Sequence, residues 1–426
     1  MANTLKFGNG QWATKVGSTL AYNDEGGNFK PLPFNFTRSG NATRVNSNGL
    51  IELVTTNVPR LNYPLIDGVV QGCPSLLLEP QRINLVQYSE DFSNAYWTKA
   101  GSSVVSGFVS PKGDLSAFKL VENTNTGGHN IRKNSLPVTL TNTYIFSVIA
   151  KKGERDWIML RDDLHEGVST TYFDLTNGVV GTTNSAYSKI EALGDGFYRC
   201  STSTVSTHVS STIYPAIHLA EADNDITYTG DGTSGLYIWG AQLEQGSYAT
   251  SYIPTQGATA TRVVETCIQT PSSGIIGQTE GTLYCEIDFK SKPEAGSPIV
   301  GIMTLNNNVT NLQNCIILGI ERQSGGTNRF YPFVQVGNST VAYITGGTLT
   351  DGVYKAAFAY KQNDFVLYVN GVQIGTDSSG AVPTTSQVLV GERFNNDAVK
   401  IADGIKDTKL YDTRLSNAEL ATLTSL

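Results

Sequence analysis

Two acidic residues share a strand face in the run Thr282–Phe289, where Leu283, Cys285, Ile287 and Phe289 alternate with Tyr284, Glu286 and Asp288. Side chains two apart on an extended strand lie about 6–7 Å apart on one face, a separation that carboxylates flanking a glycosidic bond also use. Glu286 and Asp288 are therefore the residues to test for acid–base hydrolysis. Other catalytic patterns are absent: no G-x-S-x-G is present, and with it goes the sharp turn that exposes a nucleophilic serine. The histidines His129, His165, His208 and His218 are dispersed, and none has H-x-x-x-H or H-E-x-x-H spacing. His218 with Glu221, and His165 with Asp162, Asp163 and Glu166, are loose sets of metal-capable groups without ligand spacing. Asp223-Asn224-Asp225 and Asp231-Gly232 lack the D-x-D-x-D-G-x5-E register of a calcium loop. No metal and no cofactor is expected.

Binding chemistry has better material. Aromatic faces stack on pyranose rings while Asn, Asp and Arg bond the hydroxyls. Trp157 and Arg161 are four apart on one strand-like run, hence on one face, and Tyr172 and Tyr198 sit in neighbouring strand-like runs. These four, with Tyr368 further along, are the carbohydrate-binding candidates. The competing reading is core packing. It is preferred for Trp239, which stands inside an apolar run, and is balanced for Trp157, beside Glu154, Arg155 and Asp156. Phe7 and Trp12 stand among polar residues with no local apolar partner. They are the candidates for attachment, as buried aromatics that would fill pockets on another protein.

The elements that must carry these side chains are strands. Tyr144–Ala150, Asp156–Arg161, Thr171–Leu175, Gly196–Cys200 and Gly235–Gly240 are short, β-branched or aromatic runs separated by turn residues. Phe365–Val369 runs into Asn370-Gly371, the dipeptide that best accepts a type I′ turn, and Val372-Gln373-Ile374 returns from it. Strands every 8–15 residues with turns between them make β-sandwiches, and no fixed repeat argues for a solenoid or propeller. One helix is expected, after Ser416, with Glu419 completing a capping box.

The chain has 426 residues, 30 Lys+Arg against 37 Asp+Glu (net charge −7), and 16% charged residues, below the roughly 25% of average chains. With 39% hydrophobic residues and 43 glycines it can bury enough surface to fold. Its charge does not suit nucleic acid. No apolar run is long enough for a membrane helix, and the N-terminus lacks the basic and apolar segments of a secretory signal. Five widely spaced cysteines form no C-x-x-C pair, and Cys200 and Cys285 are expected to be buried free thiols. Four N-x-[ST] sequons, at Asn35, Asn41, Asn308 and Asn338, are expected by chance in so Asn- and Thr-rich a chain.

The stretch Ser75–Phe92 with Trp97, completed by Phe197-Tyr198-Arg199, Leu236–Glu244 and Tyr252–Thr255, resembles a signature of tailed-phage fibre and minor structural proteins. That resemblance, over about residues 75–262, implies a carbohydrate-binding-module-like β-sandwich. Phe365–Gly371, Gly404–Tyr411, Arg414-Leu415-Ser416 and Glu419-Leu420 resemble a concanavalin A-like jelly roll of laminin-G or pentraxin type. Leu5–Lys15 is similar to the start of several phage fibres, which implies a virion anchor.

Hydrolases of the concanavalin type carry E-x-D-x-x-E on one strand. Here the third carboxylate position holds Ser291, beside Lys290, so the general acid is missing and Glu286 and Asp288 are expected to be a solvated face.

The expected architecture is all-β. An extended virion-anchoring segment (1–40) and a connecting β segment (41–83) precede two tandem antiparallel β-sandwiches, 84–262 and 263–426, joined by a linker within 250–281. The expected function is a non-enzymatic phage fibre or spike subunit, on head or tail, that binds host-surface or environmental glycans. The resemblance implies a homotrimer anchored on other virion proteins and assembled in the host cytoplasm, with neither nucleic acid nor membrane as partner. The alternatives are a purely structural capsid or tail decoration protein and a capsular polysaccharide depolymerase.

Overall fold

The computed structural model describes residues 4–7, 12–14, 20–23, 29–31, 34–163, 168–203, 211–270, 275–290, 299–308, 310–322, 328–395, 397, 399–401 and 403–426. His165, Glu166, His208, Pro271 and Ser291 lie outside them, and the side chains of Phe7 and Trp12 are not described.

The chain is all-β and antiparallel. Period-two alternation does what it must: in Tyr144–Lys151 and Trp157–Asp163, Phe146, Val148, Ile158 and Leu160 point into one core with Phe173, Ile217 and Ile238. That core lies between a seven-stranded and a six-stranded sheet. The seven-stranded sheet orders Thr98–Ala100, Asn130–Arg132, Thr212–Ala220, Trp157–Asp163, Val168–Asp174 and Val179–Thr183, with Leu136–Pro137 also pairing Thr212–Ala220. The six-stranded sheet orders Ser102–Phe108, Ala117–Glu122, Gly235–Gln245, Tyr144–Lys151, Tyr198–Ser203 and Ser188–Ala192. Trp239 is fully buried, as its apolar run requires.

The second sandwich is not a tandem neighbour of the first. Its eight-stranded sheet runs Val372–Asp377, Asp364–Val369, Gly352–Lys361, Glu280–Phe289, Gly404–Tyr411, Ser75–Leu77 and Arg60–Asn62, with Thr4–Phe7 as the eighth strand, also on Gly404–Tyr411. Its nine-stranded sheet includes Cys315–Glu321, Ile299–Asn306, Gln387–Val390, Thr266–Gln269 and, at one edge, Asn35–Thr37. Strands from the expected anchor and connecting segments thus complete the C-terminal sandwich. The first sandwich is inserted into the second, and its two chain crossings meet as a short ladder, Arg82–Asn84 on Ala260–Arg262. Phe34 and Phe36, expected in the anchor, are buried in the second core. The expected linker is structured too: Tyr252 and Ile253 are buried, and Thr266–Gln269 is a strand. Thr4–Phe7 pairs with Gly404–Tyr411, in register Leu5 on Leu410. Local propensity makes each strand, but the partner is chosen by non-local pairing that a linear reading does not see.

A buried ionic cluster ties the insertion to its host. Glu265 accepts from Arg38 Nη1 at 2.8 Å, from Arg60 Nε at 2.8 Å and from the Glu79 backbone N–H at 3.0 Å. Arg60 Nη1 reaches Glu79 Oε2 at 2.7 Å, and Arg262 Nη1 stands 3.2 Å from the same oxygen. The Ser251 N–H donates to Glu79 Oε1 at 2.8 Å. Burial raises the Glu79 pKa, but Arg262 and Arg60 outweigh it and hold the carboxyl well below the usual range. Arg38, Arg60 and Glu79 precede the insertion, Ser251 and Arg262 close it, and Glu265 follows it.

Among the described residues the one α-helix is Asn417–Thr424, too short to cross a membrane. Ser416 Oγ accepts from the Glu419 N–H at 3.3 Å, and the Glu419 carboxylate accepts from the Ser416 N–H at 2.7 Å, which is the expected capping box. Asn370 (φ 48°) and Gly371 (φ 80°) make the expected turn with positive φ at both central positions.

Candidate functional site

The outer face of the seven-stranded sheet carries the side chains that alternate with the core. On Trp157–Asp163 these are Trp157, Met159 and Arg161, because Ile158 and Leu160 point inward. Register places Tyr172 opposite Met159 on one side and His218 opposite it on the other. Ala216 stands opposite Arg161, and Asn130 opposite His218. Met159, Tyr172 and Ala220 form a small apolar cluster against which Trp157 and Ile226 pack.

Glycine sets the position of the indole. A Cβ on Gly181 would lie 2.6 Å from Cζ3 of Trp157 and 2.6 Å from Oδ1 of Asp223. Asp223 is itself held by the N–H and hydroxyl of Thr182, at 2.8 and 3.0 Å. Burial raises the Tyr172 phenol above its ordinary pKa, and the charges of Asp223 and Asp225 add to it.

His218 is 7% exposed. Burial pushes its pKa down to about 3, and the neighbouring cations Arg161 and Arg132 push the same way. The imidazole is therefore neutral at physiological pH. Its Nδ1 and the Oδ1 of Asn130 across the ladder are buried and have no hydrogen-bond partner. Buried polar atoms without a protein partner are uncommon. The half-buried indole and the guanidinium groups of Arg132 and Arg161 share this face, with the two partnerless atoms beneath its surface.

A pH dependence follows. The unfolded imidazole titrates near 6.5 and the folded one near 3, so the unfolded state binds more protons between those values. Stability contributed by neutral His218 is full above about pH 6.5 and is lost as pH falls toward 3. Thermal unfolding measured from pH 7 to pH 4 should show His218→Asn losing less Tm on acidification than wild type. Equal losses would refute the assignment.

The structure brings together Trp157, Arg161 and Tyr172 and leaves the other candidates elsewhere. Tyr172 is only 5% exposed, so it supports the face and does not stack. Tyr198 belongs to the six-stranded sheet, pairing with Ala150 and Ala192, and its ring lies under Gly178, where a Cβ would be 2.7 Å away. Tyr368 is 7% exposed, covered by the C-terminal helix through Leu420, and its hydroxyl donates to Gln373 Oε1 at 3.0 Å. Phe7 ends a strand paired with the chain's own Gly404–Tyr411. Sequence reasoning misses Met159 and Asn130, and weighs His218 only as a loose metal-capable group. Alternation in Thr212–Ala220 would have put His218 on one face with Ala216 and Ala220, but nothing local says which strand lies beside it.

The expected carboxylate face is ion-paired: Glu286 lies 3.5 Å from Lys406 Nζ, and Asp288 lies 3.0 Å from Lys290 Nζ. Pairing also brings in Asp407, directly opposite Glu286. Burial raises its pKa to about 7 against the charge of Lys409, with Glu286 adding to the rise. Asp407 is 3% exposed and bonded to Lys409 at 2.8 Å, so it does not present a proton at the surface. A cleft of about 570 Å³ between the sandwiches is lined by Tyr63, Arg199 and Asp288, among others, and its Lys189 is paired to Glu191 at 3.0 Å.

Among the described residues, no three His, Cys, Asp or Glu side chains converge as a metal site would require. Asp231 is instead bonded by the Thr233 and Ser234 N–H groups, both at 2.7 Å.

No family model matches the chain, and no curated protein matches it. Solved structures do. The Ruminococcus gnavus IT-sialidase CBM40 matches at 17% identity and a TM-score of 0.28, over 35% of this chain and 84% of that one. A heptameric SAP-like pentraxin from Limulus polyphemus matches at 18% identity and 0.26, over 34% and 70%. The tailspike protein 2 enzymatically active domain of bacteriophage CBA120 matches at 14% identity and 0.20, over 34% and 20%.

Proposed function

We propose that this chain is a non-enzymatic fibre or spike subunit of a tailed-phage virion, and that the outer face around Trp157 binds surface glycans. One observation carries the glycan reading: a half-buried indole shares a sheet face with the guanidinium groups of Arg132 and Arg161. A sugar ring offers an apolar face for the indole and hydroxyls for the guanidinium groups. A single shallow site binds weakly, so the proposed homotrimer would work by avidity. The test is a glycan array probed with the purified full chain. A decoration protein without a glycan ligand would bind no glycan, even at high density, while reducing-end release from host polysaccharide would identify a depolymerase.

For virion attachment we propose the N-terminal segment with Phe7 and Trp12, assembled onto head or tail proteins in the host cytoplasm. The place of any truncation matters. Cutting after residue 40 removes Phe36 from the core and Arg38 from the ionic cluster, and should unfold the chain. Cutting after Pro31 spares both and should leave a folded protein absent from purified particles. Circular dichroism and particle immunoblots check the two halves, and a normal copy number in particles after the shorter cut would end the anchor proposal.

A further inference from the structure

The outer face of the nine-stranded sheet of the second sandwich holds a separate aromatic platform. Phe333–Val336 pairs with Ser339–Tyr343 so that Phe333 is opposite Tyr343, while Val334 and Ala342 point into the core. The Tyr331 N–H donates to the Gly319 carbonyl at 2.8 Å, which seats Tyr331 beside a residue without a side chain. Its ring is nearly parallel to that of Tyr343, 24° between planes with centroids 5.9 Å apart. Tyr343 is 54% exposed, its ring resting on Tyr331 outside the core. Arg329 lies with its guanidinium carbon 5.9 Å from the Tyr331 centroid, and its Nε and Nη2 go to Glu321 at 2.7 and 2.6 Å.

We infer that Tyr331 and Tyr343, with the Arg329–Glu321 pair at their end, form a second sugar-binding site that takes a neutral pyranose. The exposed Tyr343 ring, held by the Tyr331 ring stacked against it, presents the flat face that sugar C–H groups stack on, and the phenol hydroxyls add polar contacts at its edge. The ion pair is what selects a neutral ligand. Arg329 is already compensated by Glu321, so the rim carries no net charge to hold an anion. A guanidinium donor beside a carboxylate acceptor matches a vicinal pair of hydroxyls, one accepting and one donating. The site lies on a different sandwich from Trp157, so each chain would present two sugar contacts and gain from their linkage.

The test uses saturation-transfer NMR on the full chain, with neutral trisaccharides of glucose, galactose and mannose and a uronic trisaccharide as control. In a Trp157→Ala background at least one neutral trisaccharide should still receive saturation. Adding Tyr343→Ala should weaken that binding at least tenfold, whereas Tyr343→Phe should keep most of it. The exposed position makes Tyr343→Ala compatible with folding, which circular dichroism verifies. Three results would overturn the site. One is no neutral sugar bound by Trp157→Ala. Another is binding unchanged by Tyr343→Ala. The last is a changed sedimentation coefficient for Tyr343→Ala with sugar binding intact, which would make this face a contact between copies of the chain. Sugar binding indifferent to Trp157→Ala but lost with Tyr343→Ala would sustain this site while refuting the one on the first sandwich.

Discussion

Glu265→Gln should destabilise the protein by about 3–5 kcal/mol, the range for removing one partner of a buried ion pair. Glu265 is fully buried and its carboxylate is shared between Arg38 and Arg60. Neutralising it leaves two desolvated guanidinium groups, of which only Arg60 keeps a second carboxylate, Glu79. The amide has the same shape but offers no charge, and its N–H₂ would face an arginine. The control is Glu52→Gln, which breaks a partly exposed pair with Arg44 and should cost under about 1 kcal/mol. Urea unfolding of the two variants checks this. Because Glu265 and its partners stand on both sides of the insertion, the loss should also lower cooperativity, so that the two sandwiches unfold apart. Equal small costs for both variants would mean that the cluster is not what joins them.

Trp157→Ala should weaken glycan binding 10- to 100-fold, about 1.4–2.7 kcal/mol by the affinity relation, as expected for an aromatic at the centre of a contact. Stability should change little, because the indole packs on the sheet exterior against Met159 and Tyr172 rather than in the main core. Gly181→Ala should act in the same direction without touching the ring itself, since its methyl would displace the indole and Asp223 together. Titration of both variants against the best glycan from an array measures the effect. Loss of binding in Trp157→Ala with full binding in Gly181→Ala would show that ring position matters less than ring presence.

What could be read before the fold was known was whatever is written locally. Alternation identified the strands, Asn370-Gly371 the turn, and Ser416 with Glu419 the helix start, because each depends on residues a few positions apart. Trp157 and Arg161 share a face for the same reason, whereas Tyr172 joins them only through the pairing of Trp157–Asp163 with Val168–Asp174. Partner choice is non-local, and there the reading failed. Arg38, Arg60, Glu79, Arg262 and Glu265 look like surface charges in a polar chain, and only the closing of the inserted sandwich buries them against one another. Tyr368 reads as a half-buried strand residue until Leu420, some 50 positions later, covers it. Tyr198 has the right residue type on the wrong sheet. Asp407 meets Glu286 only because Gly404–Tyr411 pairs with Glu280–Phe289. Tyr331 and Tyr343 escaped notice because a turn and a strand return, not a sequence motif, bring their rings together.

The central claim is that the face around Trp157 binds sugar, and a glycan array comparing the full chain with its Trp157→Ala variant tests it most directly. The predicted result is binding of the wild type to at least one surface glycan, with that signal reduced at least tenfold in the folded variant. Binding to no glycan at any density, or binding that Trp157→Ala leaves unchanged, would contradict it.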